Sequence, residues 1–253
     1  MGLYAMTGGA TGIGAAIKQR LRDDSHEVIV ADLKDADILA DLSTPAGRDS
    51  AIAAIRRHAA SGLDGFIPCA GVAGHLPNRA LIASLNYFGT VSLVEGLQDL
   101  LAARKGSVVL ISSNSAPHPT NPQFVDLLVD GNETEACAVA QNMQGHAVYS
   151  GTKQAIVRWM RRSTGKYAAA GVRLNAVAPG YTQTPMTRQV EQDPAYGAAI
   201  RDFMASIPVG RPGQPEDIAA LVCFLLGKDA SFICGSLVFA DGGHDAVQRP
   251  DLF

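Results

Sequence analysis

The chain has 253 residues, 47% of them hydrophobic and only 18% charged, enough apolar content for a sizeable core and too little charge for intrinsic disorder. Its 21 basic and 24 acidic residues leave a net charge of −3, which makes nucleic acid and anionic membrane poor partners. Four cysteines without a CxxC pair argue against disulfides and structural zinc; MGLYAMTGG lacks the basic start of a secretion signal; no apolar run approaches the roughly 20 residues that span a bilayer. A soluble, cytoplasmic protein is expected.

Short β-rich runs alternate with longer helical stretches along the whole sequence. In chain order, the pattern predicts a strand over 2–6, a helix over 13–22, strands near 27–31 and 38–40, a helix over 46–60 and a strand near 65–69. A long helix over 80–103, a strand near 107–112, a helix over 148–169, a strand near 172–177, a helix over 215–227 and a strand near 237–240 follow. Strands alternating with helices through right-handed crossovers predict an α/β fold, a Rossmann-like doubly wound seven-stranded parallel sheet with helices on both faces, in one domain spanning 1–253.

Two stretches break the alternation. Between 114 and 147, after Pro117, Pro119 and Pro122, apolar residues fall at helical spacing on either side of Asp130-Gly131-Asn132, so a small helical hairpin is expected there. Its four acids, Asp126, Asp130, Glu133 and Glu135, have no Lys or Arg among them; they either favour a neutral substrate at a pocket mouth or form a solvated face. The second stretch, 181–209, has the length of a substrate lid. In it Met186, Tyr196, Phe203 and Met204 fit either the wall of an apolar pocket or the core of short lid helices, with the second reading preferred.

The chemistry gathers around a few motifs. TGGATGIG at 7–14 follows the first strand and opens the first helix, where Gly8, Gly12 and Gly14 allow a tight turn and close approach to a pyrophosphate. Asp32 closes the second strand, at the position where a dinucleotide-binding fold places an acid on the adenosine ribose; it would repel a 2′-phosphate, with only Lys34 nearby to compensate, so NAD is favoured over NADP. Tyr149 and Lys153 in YSGTK share one helix face. Alone, that spacing also fits an ordinary surface pair. A nearby ammonium favours the phenolate, and about 4 kcal/mol of differential stabilisation would bring a tyrosine from about 10 to about 7. His75, His118 and His146 have no metal-ligand spacing and read as loop residues, and Trp159 reads as core or interface; no metal is expected.

TGGATGIG, Asp32, Asn86 in SLNYFG, Ser113 in VVLISS, Tyr149 with Lys153, Pro179-Gly180 in RLNAVAPG and FADGG at 239–243 occur in one order. Together they resemble the short-chain dehydrogenase/reductase family across essentially the whole chain. The resemblance implies an NAD-dependent oxidoreductase acting on a small-molecule alcohol or ketone. It implies that Tyr149 is the general acid/base, that Lys153 lowers its pKa and binds the nicotinamide ribose, that Ser113 hydrogen-bonds the substrate oxygen and that Asn86 holds a relay water. It further implies cofactor contacts from Gly8, Thr11, Gly12, Ile13 and Gly14 at the phosphates, from Asp41, Leu42, Ala70 and Gly71 around the adenosine, and from Pro179, Gly180, Thr182 and Thr184 at the nicotinamide.

Two departures from the family stand out. Pro68-Cys69-Ala70-Gly71 replaces Asn-Asn-Ala-Gly and loses a side-chain amide that ties strands together, so local repacking is expected. The longer gap between Ser113 and Tyr149 makes the hairpin an insertion. With that insertion and the ending DAVQRPDLF, the sequence is most similar to the branch of bacterial 3α-hydroxysteroid dehydrogenase/carbonyl reductases, while coniferyl alcohol dehydrogenases share its appearance. The implied substrate is a cyclic apolar secondary alcohol, with an aryl or allylic alcohol as the alternative; a nucleotide-binding regulator without turnover would not need Ser113, Tyr149 and Lys153 together. Family habit implies a homo-oligomer, a dimer being favoured, through the helices near 80–103 and 148–169.

Overall fold

The aliphatic runs of the sequence pair into one parallel sheet in a computed structural model that describes residues 1–191 and 197–252. Its strands are β1 (Leu3–Thr7), β2 (Glu27–Asp32), β3 (Ile38–Leu39), β4 (Gly65–Pro68), β5 (Ser107–Ile111), β6 (Arg173–Pro179) and β7 (Leu237–Ala240). They lie in the order β3-β2-β1-β4-β5-β6-β7 with every neighbouring pair parallel. The order reverses between β1 and β4, which opens a crevice beyond the carboxyl ends of the strands.

The helices, in chain order, are α1 (Gly12–Asp23), α2 (Pro45–His58), α3 (Arg79–Ala83), α4 (Gly89–Gly96), α5 (Gln98–Arg104) and α6 (Pro122–Val129). After them come α7 (Glu133–Gln141), α8 (Gly145–Ala169), α9 (Pro185–Glu191), α10 (Gly197–Ala205), α11 (Pro215–Leu226) and α12 (His244–Gln248). Alternate residues of a strand point to opposite faces, so a strand covered on both sides feeds two cores. Val108 and Leu110 of β5 enter the core shared with α2, α4 and α8, whereas Val109 and Ile111 enter the core formed with α1 and α11. No single helix among the described residues is long and apolar enough to cross a membrane.

The predicted strands all form, and the structure corrects the helices. The stretch 80–103 is not one helix: α3 runs into a π-turn at Ser84–Phe88, α4 follows, and α5 departs at an angle of 52° after Gly96. An extra residue in a helical turn leaves apolar periodicity nearly intact, so the sequence pattern passes over it. Helix α8 starts at Gly145, three residues before its predicted start, and takes His146 out of the loop and into its first turn.

The insertion folds as the expected hairpin, α6 and α7. Asn121 and Asn132 cap the two helices by accepting from the N–H groups of Phe124 and Glu135. Phe124, Val125, Leu128, Ala136 and Ala140 are fully buried and belong to the main core. The Phe124 ring lies against Gly151 of α8, where a β-carbon would come within 2.8 Å of it. Two of the four acids meet cations from elsewhere: Asp126 pairs with Arg158 at 2.9 Å, and Glu133 grips the guanidinium of buried Arg48, with one contact at 3.1 Å. The hairpin is therefore joined to α2 and α8 by charge as well as by apolar contact.

Candidate active site

The crevice at the strand reversal is a cleft of about 380 Å³, within the range of small-molecule sites. At its β1 end, Gly8 has φ +73 and passes so close to Ala70 that a β-carbon would lie 2.6 Å from the Ala70 backbone. Gly14 is tighter still, because its β-carbon would sit 1.8 Å from the Gly8 carbonyl oxygen. The turn thus brings the N-terminus of α1 into the cleft. The Thr11 side chain does not cap that terminus and no acid lies in its first turn, so the N–H groups and the positive end of the helix dipole are available to an anion.

Asp32 stands at the end of β2, its carboxylate accepting from the N–H of Ala10 at 3.2 Å and of Leu33 at 2.7 Å. Asp41 and Leu42 line the same end. Lys153 is the one cation among the described lining residues, and Lys34 is not part of the wall. The residues present therefore fit a dinucleotide whose adenosine ribose carries free hydroxyls rather than a phosphate.

The central strand β4 shows what replaced the missing amide. The β4–β5 ladder stops at Phe66 paired with Val108, because Pro68 has no N–H to extend it. Beyond it the backbone is held from β1: the Thr7 carbonyl accepts from Cys69 N–H at 3.2 Å, and the Thr7 hydroxyl oxygen accepts from Ala70 N–H at 3.0 Å. Cys69 lines the cleft, and burial pushes its thiol up to about 12, which keeps it protonated.

On the other side of the cleft, Ser113 follows β5 while Tyr149 and Lys153 stand one turn apart on α8. The segment after β5 is fixed on both flanks, since Ser112 N–H donates to Val177, the Ser112 hydroxyl to the Lys153 carbonyl at 3.1 Å, and Asn114 N–H to Pro179. Burial raises the Tyr149 phenol above its usual value, and the hydrogen-bonding Ser113 hydroxyl pulls it back down. Lys153 stands beside the phenol on the same helix face. Its ammonium donates to the Ile111 carbonyl at 2.9 Å, lies 5.5 Å from the phenol ring centroid, and is itself brought down to about 8 by burial.

Pro179, Gly180, Thr182 and Thr184 line the cleft next to this group, as do Thr11, Gly12, Ile13 and Gly71. Of the residues singled out in the sequence as catalytic or cofactor-binding, Asn86 alone is not in the wall; it is fully buried in the π-turn. Its amide clasps the Val72 backbone, accepting from N–H at 2.8 Å and donating to C=O at 2.9 Å, and its own carbonyl accepts from the Thr90 hydroxyl. Asn86 thereby fixes the segment at Gly71, whose absent β-carbon would lie 3.2 Å from Asn86 Oδ1 and 3.9 Å from Lys153 Nζ.

No described residue of 114–147 lines the cleft, and two of the hairpin acids, Asp126 and Glu133, turn instead to Arg158 and Arg48. Of the lid residues considered, Met186 lines the cleft; Phe203 instead packs on Tyr181 and on His244 at 4.4 Å between ring centroids, and Tyr196 lies outside the described residues. Trp159 is core, edge-on to Tyr167. His118 meets Gln248, and no cluster of metal-ligating side chains occurs among the described residues. Sequence reading missed Val72, Leu81 and Leu85 in the wall, and also Thr187, whose hydroxyl accepts from Thr184 N–H and whose N–H donates to the Thr184 hydroxyl. The Thr-Pro-x-Thr spacing is the signal for that reciprocal cap on α9.

The comparisons with known proteins agree with this geometry. Residues 134–245 match the family model described as enoyl-(acyl carrier protein) reductase. The chain is 37% identical to the 3-alpha-hydroxysteroid dehydrogenase/carbonyl reductase of Comamonas testosteroni, covering 100% of both chains. It is 29% identical to cis-4-hydroxycyclohexanecarboxylate dehydrogenase of Sinomonas cyclohexanicum over 96% of each. The crystal structure of the 3-alpha-hydroxysteroid dehydrogenase from Pseudomonas sp. B-0831 complexed with NADH superimposes with a TM-score of 0.95 at 41% identity, covering 99% of this chain and 100% of that one. With its motifs assembled in one cleft and full-length relatives of this kind, the chain belongs to the short-chain dehydrogenase/reductase family.

Proposed function

We propose that the protein is an NAD-dependent oxidoreductase that interconverts a secondary alcohol and a ketone, acting on a cyclic apolar substrate such as a 3α-hydroxysteroid. The observation that carries this reading is the meeting of Ser113, Tyr149 and Lys153 on one wall of a cleft whose other half suits a dinucleotide. Bound there, the nicotinamide supplies or takes the hydride. Tyr149 gives its phenolic proton to the carbonyl oxygen in reduction and takes it from the alcohol in oxidation. Ser113 donates a hydrogen bond to the same oxygen as charge develops on it. Lys153 binds the nicotinamide ribose and steadies the phenolate, and Asn86 holds the water through which the proton leaves. Asp32 receives the adenosine ribose hydroxyls, while Pro179, Gly180, Thr182 and Thr184 seat the nicotinamide end.

The apolar residues Val72, Leu81, Leu85 and Met186 in the wall support a ring-bearing substrate, as do the names of the relatives that share the fold. The chain works as one domain, in the cytoplasm, as a homodimer. The hairpin covers part of α3 and α8, which supports a contact elsewhere; fully exposed Phe232 and half-exposed Phe224 support a self-associating face. Light scattering checks this, and the mass of one chain would remove it.

A panel of alcohols followed by NADH absorbance tests the substrate: turnover of cyclic secondary alcohols is expected, and turnover of coniferyl alcohol alone would overturn it. Tyr149→Phe is expected to lower kcat by about a thousandfold or more with NADH affinity unchanged. Wild-type turnover in that variant removes the acid/base assignment.

A further inference from the structure

Ser113 has a neighbour that the reaction scheme leaves without a role. The Ser115 N–H donates to Ser113 Oγ at 3.1 Å, and the Ser115 hydroxyl donates to the same oxygen at 3.0 Å. A serine hydroxyl has two lone pairs and one proton. With both lone pairs engaged from one side, Ser113 can no longer act as an acceptor toward the cleft. Its remaining capacity is its proton, and its hydroxyl hydrogen-bonds Tyr149 within the cleft wall. Ser113 is only 7% exposed, so solvent offers it little alternative.

We infer that Ser115 is a positioning residue for the reaction, which converts the Ser113 hydroxyl from a free rotor into a fixed, polarised donor aimed at the reacting oxygen. The inference rests on the oxidoreductase reading of this site. Two further features make the arrangement stiff. Successive tight turns, Ala116 N–H to Ser113 C=O and His118 N–H to Ser115 C=O, each at 3.0 Å, fix the backbone of both serines. The Gln154 amide then donates to the Ala116 carbonyl at 3.0 Å, tying the turn to α8, which carries Tyr149 and Lys153. Hydrogen bonds in a chain strengthen one another, so donation into Ser113 Oγ makes its proton a better donor in turn. The consequence falls on Tyr149, because the Ser113 hydroxyl holds the phenol pKa down against burial.

The test is the pH profile of alcohol oxidation, in which kcat rises as Tyr149 loses its proton. Ser115→Ala is expected to lower kcat about 3- to 10-fold, the value of one ordinary hydrogen bond, to move the midpoint of the profile upward, and to leave KM for NAD and the thermal midpoint unchanged. Ser115→Thr, which keeps the hydroxyl, is expected to restore both kcat and midpoint. A wild-type kcat and midpoint in Ser115→Ala overturns the inference. So does a fall in kcat and thermal stability with an unmoved midpoint, which would make Ser115 a folding residue only, or a Thr variant as displaced as the Ala one. Ser113→Ala separates the two levels: if it is disabled while Ser115→Ala is silent, the inference alone falls, and if it stays fully active, the reading of the site falls with it.

Discussion

Two helical excursions leave the carboxyl edge of the same sheet, and they do different work. The pair α6–α7, between Ser113 and Tyr149 in the sequence, buries Phe124, Val125 and Leu128 and is joined by ion pairs to α2 and α8, yet gives the cleft no described lining residue. The pair α9–α10, after β6, gives the cleft Pro185, Met186 and Thr187. Adjacency in sequence to Ser113 and Tyr149 is thus a poor guide to which residues line the cleft. The first excursion braces the back of the helix that carries Tyr149 and Lys153; the second contributes to the cleft wall.

Removing the brace at its deepest point is the strongest way to break this contrast. Phe124→Ala deletes a fully buried ring against Gly151 and is expected to cost about 3–5 kcal/mol, read as a lower midpoint in urea, while turnover per folded molecule holds within about threefold. A collapse of turnover in the folded fraction would make the hairpin part of the chemistry.

The cation on the cleft side of α8 sharpens the contrast from the opposite direction. Burial brings Lys153 to about 8 from an ordinary value of 10.5, so between those limits the unfolded chain binds more protons, and stability rises with pH through that window. Below about pH 8 the folded chain carries the charge at a cost. Lys153→Met is therefore expected to stabilise the protein at pH 7 by up to about 3 kcal/mol, to flatten that pH dependence and to abolish turnover. A less stable variant would show that the Ile111 carbonyl fully compensates the ammonium.

The smallest effect belongs to α9. Met186→Ala should raise KM for a bulky cyclic alcohol by up to about tenfold and leave stability within about 0.5 kcal/mol. An unchanged KM would place the substrate away from α9.

Most of the scaffold was legible because it is written in periodicity and turn residues. The seven strands and the TGGATGIG turn are of this kind, and so is the hairpin, announced by Asp130-Gly131-Asn132. What escaped has no such notation. The π-turn at Asn86 disturbs the apolar pattern by a single residue. Helix α8 begins behind Gln144 and α12 behind Gly243, neither with a capping side chain, so no start signal precedes them. The Ser113, Tyr149 and Lys153 set was legible through a family pattern, whereas Ser115 meets Ser113 through an i, i+2 hydrogen bond that depends on turn geometry no motif spells out. The Tyr149–Lys153 spacing was legible, whereas the hydrogen bond from the ammonium to the Ile111 carbonyl, made through main chain of another element, was not.

The contact of Gly14 with the Gly8 carbonyl has a consequence for how the dinucleotide comes and goes. Strand and helix touch there through main chain alone, with no side chain between them to repack. Such a joint cannot loosen by degrees, so the phosphate seat is ready before its occupant arrives and demands no ordering on arrival. A dinucleotide held there would rest its phosphates on main chain, whereas its nicotinamide end would meet side chains of α9 such as Met186 and Thr187.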